Sequence, residues 1–286
     1  MHKINIVIIF FLGILFFSSC QQPREKQTVS KAQRKWIKPA NTGYHFEKAK
    51  EWLKKNNTAA GQNIVLAINR TDSSNLVKMD SIIVPNDVSG DMEVYLPFPL
   101  SVPFLKDVKK IIFFSYPSQT FAAYEMGELV YAGPTNMGRK ADPTPTGLYY
   151  TNWKAEKTTS TFNDEWDLKW NFNIENKLGV GFHQYELPGY PASHSCLRLQ
   201  EKDARYLYDW ADQWILDKNE SIAAKGTPVI VFGAYNFNAP KPWLQLINDS
   251  NMLDITGSTI HQTAAPFIQE ILAEQQKRAT VVADKE

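Results

Sequence analysis

Cysteine is nearly missing from this chain of 286 residues: there are two, Cys20 and Cys196. A pair so far apart builds no disulfide framework of the kind that staples small secreted domains. Excess charge of one sign is missing as well. Net charge is +1 at pH 7 and the isoelectric point is near 7.7. That balance gives no electrostatic case for a nucleic-acid partner. Long apolar runs are missing past residue 17. Ile4 to Phe17 is interrupted only by Asn5 and Gly13, and is too short to span a bilayer comfortably. Three candidate metal ligands, His183, His194 and Cys196, fit no common structural zinc spacing. No metal and no cofactor is expected.

What is present begins at the N-terminus. Met1-His2-Lys3 is short and basic, the apolar run has the length of a signal-peptide core, and Phe17-Ser18-Ser19-Cys20 follows. Small residues before a cysteine resemble the bacterial lipobox, with Phe17 at the position that is usually Leu. The expectation is a signal peptide over 1–19, lipidation of Cys20, and a cell-envelope protein facing the periplasm and held to a membrane by that lipid. An ordinary cleaved signal is the alternative. The polar, aperiodic stretch 20–42 reads as a lipidated tether.

Roughly 265 residues then remain, room for one large domain and a smaller one. Phe46 to Lys55 has a helical rhythm, with Phe46, Ala49 and Leu53 on one side. Leu66 to Pro85 resembles the second half of a LysM-type wall-binding repeat whose first half is missing. A plain helix–strand element is the alternative. This makes 43–106 a small α/β region. From Asp107 the chain turns to short β-branched and aromatic strands: Lys109–Ser115, Thr120–Tyr124, Leu129–Ala132, Leu148–Thr151 and Val229–Phe232, with Gly and Pro at the turns. An antiparallel sandwich or barrel over 107–236 follows. Residues 152–177 have no clear period and read as a functional loop, placed to act as a lid. Ala204, Leu207, Tyr208, Ala211, Trp214 and Ile215 lie at helical spacing. A helical extension over 237–286 closes the chain, with an amphipathic helix from Thr263 to Lys277. Trp153, Trp166, Trp170, Trp210 and Trp214 read mostly as core, a few as groove lining.

The chemistry concentrates in one short span. Phe182-His183 precedes a loop and then Ser193-His194-Ser195-Cys196-Leu197-Arg198. With Cys20 lipidated, Cys196 is a lone thiol in an oxidising compartment, and such a thiol is a candidate nucleophile. A nearby imidazole can take its proton, and preorganised N–H groups can meet the oxyanion. The positive neighbours His194 and Arg198 favour a reactive thiol over an inert buried one. A papain-like peptidase would place its histidine far downstream, where only His261 is found.

The His183 strand and the Ser193–Arg198 run resemble the catalytic motif of the L,D-transpeptidases, the YkuD family. Thr144-Pro145-Thr146-Gly147 and Gly226-Thr227-Pro228-Val229 match that family's turns in the right order, so the resemblance covers roughly residues 108–233. It implies a mainly β catalytic domain with flanking helices, acting on peptidoglycan stem peptides through a thioester. It implies Cys196 as nucleophile and His183 as base and acid. The Gln184 carbonyl would orient the imidazole, and the N–H groups of Ser195 and Cys196 would form the oxyanion hole. His194 would shape the pocket, while Arg198 and Ser193 would contact substrate. Two positions depart from the family pattern: Ser195 and Gln184 stand where it has Gly. Hydrolysis of the same thioester, as a carboxypeptidase or endopeptidase, is an alternative outcome. A non-catalytic wall-binding lipoprotein is the alternative from another class.

Overall fold

The computed structural model describes residues 34–56, 58–159 and 167–284. The leader, Cys20 and most of the tether lie outside the described residues, as does Trp166. From Lys35 onward the chain forms one compact unit.

Strands β1 (Tyr44–Lys48) and β2 (Ser81–Pro85) pair antiparallel as a two-stranded ribbon. Helices α1 (Ala49–Lys55), α2 (Ala59–Ile68) and the short α3 (Ser73–Leu76) lie between them in sequence. The helix expected from Phe46 therefore begins only at Ala49. Phe46 sits in β1 and is half-exposed, paired with Ile83 in β2. The β-branched run Ile82-Ile83-Val84 supplies a ladder, and that tertiary pairing overrides the local helical rhythm.

The main sheet has nine strands curled into half a barrel. Its strands are β3 (Ile111–Ser115), β4 (Thr120–Glu125), β5 (Glu128–Asn136), β6 (Gly147–Tyr150), β7 (Lys154–Thr159), β8 (Asp167–Glu175), β9 (Val180–Gln184) and β10 (Leu197–Leu199). Helix α4 (Glu201–Trp210) and a small hairpin, β11 (Ile215–Leu216) with β12 (Ile222–Ala224), follow before the ninth strand, β13 (Pro228–Phe232). The spatial order is β6-β13-β3-β4-β5-β10-β9-β8-β7. Pairing is antiparallel except for β13 with β3 and β10 with β9. The class is mainly β with flanking helices.

Strand β3 is buried on both faces. Ile111 and Phe113 face a core closed by the C-terminal helices α5 (Gly257–Ala264) and α6 (Ile268–Ala283), through Ile260, Ala264 and Ile271. Ile112 and Phe114 face a second core with Phe182, Leu197, Leu199 and the Ala204 and Leu207 side of α4. A strand covered on both sides reads as a continuous apolar run, which is why it is legible.

Two expectations change. Residues 152–177 are not a structureless loop: β7 and β8 lie within them and pair antiparallel. The tip, 160–166, lies outside the described residues. Strand β7 (KAEKTT) is one edge of the sheet, opposite β6, and charged residues on an edge strand blunt it against further pairing. That polarity hides the strand from a search for apolar period. Helix α4 also stops at Trp210, before Trp214 and Ile215. Lys110 Nζ donates to the Trp210 carbonyl at 2.8 Å. The Asp212 carbonyl accepts from Thr151 Oγ1 at 2.6 Å and from the Thr227 N–H at 3.1 Å. These partners take the backbone that a further helical turn would need.

Candidate active site

Strands β9 and β10 run side by side in parallel, with Arg198 in register with His183 and Leu197 with Phe182. Side chains alternate across a strand. Phe182, Leu197 and Leu199 enter the core, so His183 and Arg198 share the opposite face. Cys196, two residues before Arg198, lies at the entrance to β10 on the same side. Its nearest counterpart in this register is Gly181. A Cβ at Gly181 would meet the Phe172 carbonyl of β8 at 2.8 Å, so only glycine fits.

His183 is 3% exposed. Its Nδ1 lies 3.0 Å from the Gln184 carbonyl oxygen. A carbonyl only accepts, so Nδ1 carries the proton and Nε2 is left as a bare acceptor. Burial holds the imidazole down to about 4; the Gln184 bond opposes this shift and the Arg198 charge adds to it. The ring is therefore neutral near pH 7 and able to take a proton. Tyr185, two positions on, stands edge-on to the His183 ring at 6.0 Å between centroids. The Arg198 guanidinium lies 4.4 Å from the Tyr185 ring centroid. Sequence reasoning missed Tyr185, although strand alternation from His183 points to it.

Cys196 is a free thiol that keeps part of its surface exposed. Its sulfur donates to the Gly179 carbonyl at 3.7 Å. Burial raises the thiol above its ordinary value, against downward pulls from a Gly181 backbone bond and the Arg198 charge. No hydrogen bond joins it to the His183 ring among the described residues. Resting thiol and imidazole are both neutral.

The turn that carries the thiol is fixed through its carbonyls. Thr144 Oγ1 donates to the Ser195 carbonyl at 2.8 Å and accepts from the Gly138 N–H at 2.8 Å. Ser193 Oγ donates to the Cys196 carbonyl at 2.5 Å. Ser193 itself is fully buried and bridged to Gly138. Its side chain shapes the turn from beneath, its hydroxyl spent on the Cys196 carbonyl. The backbone N–H groups of Ser195 and Cys196 make no hydrogen bond among the described residues. Ser195 has φ +78°, a conformation that glycine adopts freely and other residues do not. His194 lies to one side, with Nδ1 3.2 Å from Arg139 Nη2 and 3.3 Å from Asp142 Oδ2.

Between His183 and the turn, residues 185–192 form a strap. Asn136, buried in β5, accepts from the Ala192 N–H at 3.2 Å and donates to the Tyr190 carbonyl. From the other side Asp72 Oδ2 accepts the Leu187 N–H at 2.6 Å, and Thr71 Oγ1 donates to the Leu187 carbonyl at 2.9 Å. No pattern in the sequence links residues 71–72 with 187. Of the tryptophans, Trp170 is capped by Arg205 at 4.7 Å and Trp210 donates to Glu125 at 2.7 Å. Both serve packing around α4.

Residues 109–231 match the model of the YkuD family, the L,D-transpeptidase catalytic domain. The YkuD match spans the sheet from β3 to β13 and contains every candidate residue of the site. Among solved structures, an L,D-transpeptidase from Stackebrandtia nassauensis is 24% identical, covering 44% of this chain and 56% of that one, with a TM-score of 0.36. One from Mycobacterium tuberculosis H37Rv is 22% identical over 44% of this chain and 58% of that one, with a TM-score of 0.35. The chain thus spans little more than half the length of these structures. No curated protein matches it.

Proposed function

We propose that the protein is an exported cysteine-nucleophile L,D-transpeptidase acting on peptidoglycan stem peptides. What carries this reading is one arrangement: a neutral imidazole and a free thiol on one face of adjacent parallel strands, beside a turn whose carbonyls are tied and whose N–H groups are not.

The steps follow from that arrangement. The thiol turns from the Gly179 carbonyl toward His183 Nε2, which accepts its proton. Apo geometry of this kind tightens when substrate binds. The thiolate attacks the stem-peptide carbonyl carbon, and the N–H groups of Ser195 and Cys196 meet the oxyanion. The C–N bond breaks, His183 returns the proton to the leaving amine, and a thioester on Cys196 remains. A second amine attacks the thioester and gives a proton to His183 Nε2, the C–S bond breaks, and His183 passes that proton to the departing thiolate, which restores the neutral thiol and imidazole. Arg198, stacked on Tyr185, presents a permanent positive charge on the substrate face, suited to a stem-peptide carboxylate. The apolar run and Cys20 support export and a lipid anchor in the cell envelope.

The test is mass spectrometry of a wall tetrapeptide incubated with the protein and with Cys196→Ala. A dimer that has lost one D-amino acid, absent with the variant, is the expected product. Tripeptide without dimer would move the assignment to hydrolysis. No turnover and no acyl adduct on Cys196 would overturn both and favour a non-catalytic wall-binding protein.

A further inference from the structure

A cavity of about 460 Å³ lies outside the YkuD match. It opens between the Lys38–Tyr44 approach to β1, the 94–100 segment and the 246–256 segment. Its volume is in the range of small-molecule sites. Its walls are mostly apolar and include Tyr95, Phe98, Leu246 and Leu253. Exposed Lys38 and Asp254 stand at its rim. On its floor is Arg70, which is 1% exposed.

Arg70 is an unusual residue to find there. A guanidinium has five N–H donors. Three are matched to main-chain carbonyls: Nε to Ser118 at 2.7 Å, and Nη1 to Ala67 at 2.6 Å and Ile68 at 2.9 Å. Nη2 has no hydrogen-bond partner among the described residues. Among the described residues no carboxylate offsets its charge either; the acting neighbour is the Tyr44 hydroxyl, and burial lowers the group to about 9, still protonated at neutral pH. Trp243 covers one side of it, 5.5 Å from ring centroid to guanidinium carbon. A buried cation without an anion is costly, and chains normally pair it. Here the residue carrying that unmatched group lines a cavity rather than solid core.

We infer that this cavity binds a small monocarboxylate with an apolar body, its carboxylate on Arg70 Nη2 and its body against Tyr95, Phe98 and Leu253. The singly charged carboxylate is favoured over phosphate because a second charge would be desolvated with no second cation on the floor. Tyr44, whose hydroxyl acts on the Arg70 charge, also lines the cavity.

The test is calorimetric titration of the purified protein with sodium benzoate as probe, and with benzamide as its neutral twin. Benzoate should bind at least about tenfold more tightly than benzamide. Arg70→Met should remove that difference. Because Arg70 also ties three carbonyls, Leu253→Trp provides a second arm: it fills the cavity from its side and leaves Arg70 intact. It should weaken benzoate at least about tenfold while the far-ultraviolet circular dichroism is unchanged. Equal binding of benzoate and benzamide, or no binding of either, overturns the site. Unaltered benzoate binding in Leu253→Trp places the probe elsewhere, the catalytic face included, and overturns it too. Displacement of benzoate by inorganic phosphate as readily as by acetate overturns the monocarboxylate class.

Discussion

Strands β3 and β9 belong to one sheet and differ in what lies on their two faces. Both faces of β3 are core: Phe113 meets Tyr124 and Phe232 edge-on, and Phe114 lies against Phe121 and Phe182. Strand β9 gives one face to the same core through Phe182 and the other to His183. The comparison teaches that the candidate site rests on the back of the packing. A site residue on β9 is held in place by the core residue beside it, and each can be removed separately.

The largest effect expected is chemical. Cys196→Ala or His183→Gln should lower turnover by at least about 10³-fold, measured by product formation from a tetrapeptide, with the unfolding midpoint close to that of the parent. Phe113→Ala should do the reverse. It deletes a fully buried ring and should destabilise the fold by about 3–5 kcal/mol in urea unfolding, with activity per folded molecule retained. If Phe113→Ala lost turnover in full proportion to Cys196→Ala while still folded, the division between the two faces would fail.

Thr144→Val joins the two. The shape is kept, but the Ser195 carbonyl and the Gly138 N–H both lose their partner, a loss of about 1–3 kcal/mol. Turnover should fall along with stability, because the same hydroxyl fixes the nucleophile turn. Acid sharpens the contrast further. His183 is held neutral down to about 4 in the folded chain, against about 6.5 in an unfolded one. Between those values the unfolded chain binds more protons, so stability falls as pH drops from about 6.5 toward 4. Urea unfolding across that window should show a shallower fall for His183→Gln. The smallest effect expected is at Ser195, where φ is +78°. Ser195→Gly should relieve that conformation and stabilise the fold by up to about 1 kcal/mol, read as a rise in melting temperature.

Legibility followed the same division. Strands β3, β4, β5 and β13 were readable because burial wrote apolar runs into them, and the half-buried edge strand β6 because Leu148, Tyr149 and Tyr150 follow directly on a Pro/Gly turn. The positions of Cys196, His183 and Arg198 were readable because a lone thiol, two histidines and an arginine within so short a span have little structural use. Strand β7 was not, since an edge strand in contact with water carries Lys and Glu where a core strand carries Val. Tyr185 was passed over although alternation along the His183 strand points to it, because its contact with Arg198 comes from pairing with β10, which the sequence does not display. The hydroxyl of Ser193 reads alike whether it faces a ligand or a carbonyl; burial alone decides. The end of α4 was misjudged because Thr151, Thr227 and Lys110, remote in sequence, capture its last turn.

The hold of Thr71 and Asp72 on Leu187 has a practical consequence for anyone cutting the gene. Leu187 is fully buried, and its N–H and carbonyl are both satisfied from residues 71 and 72. A fragment begun at Asp107 would retain every residue of the YkuD match. It would also leave the strap between His183 and Cys196 without its outer brace, with two backbone groups stripped of partners at about 1–3 kcal/mol each. The smallest excisable fold is therefore longer than the matched stretch, and its N-terminal boundary belongs ahead of β1.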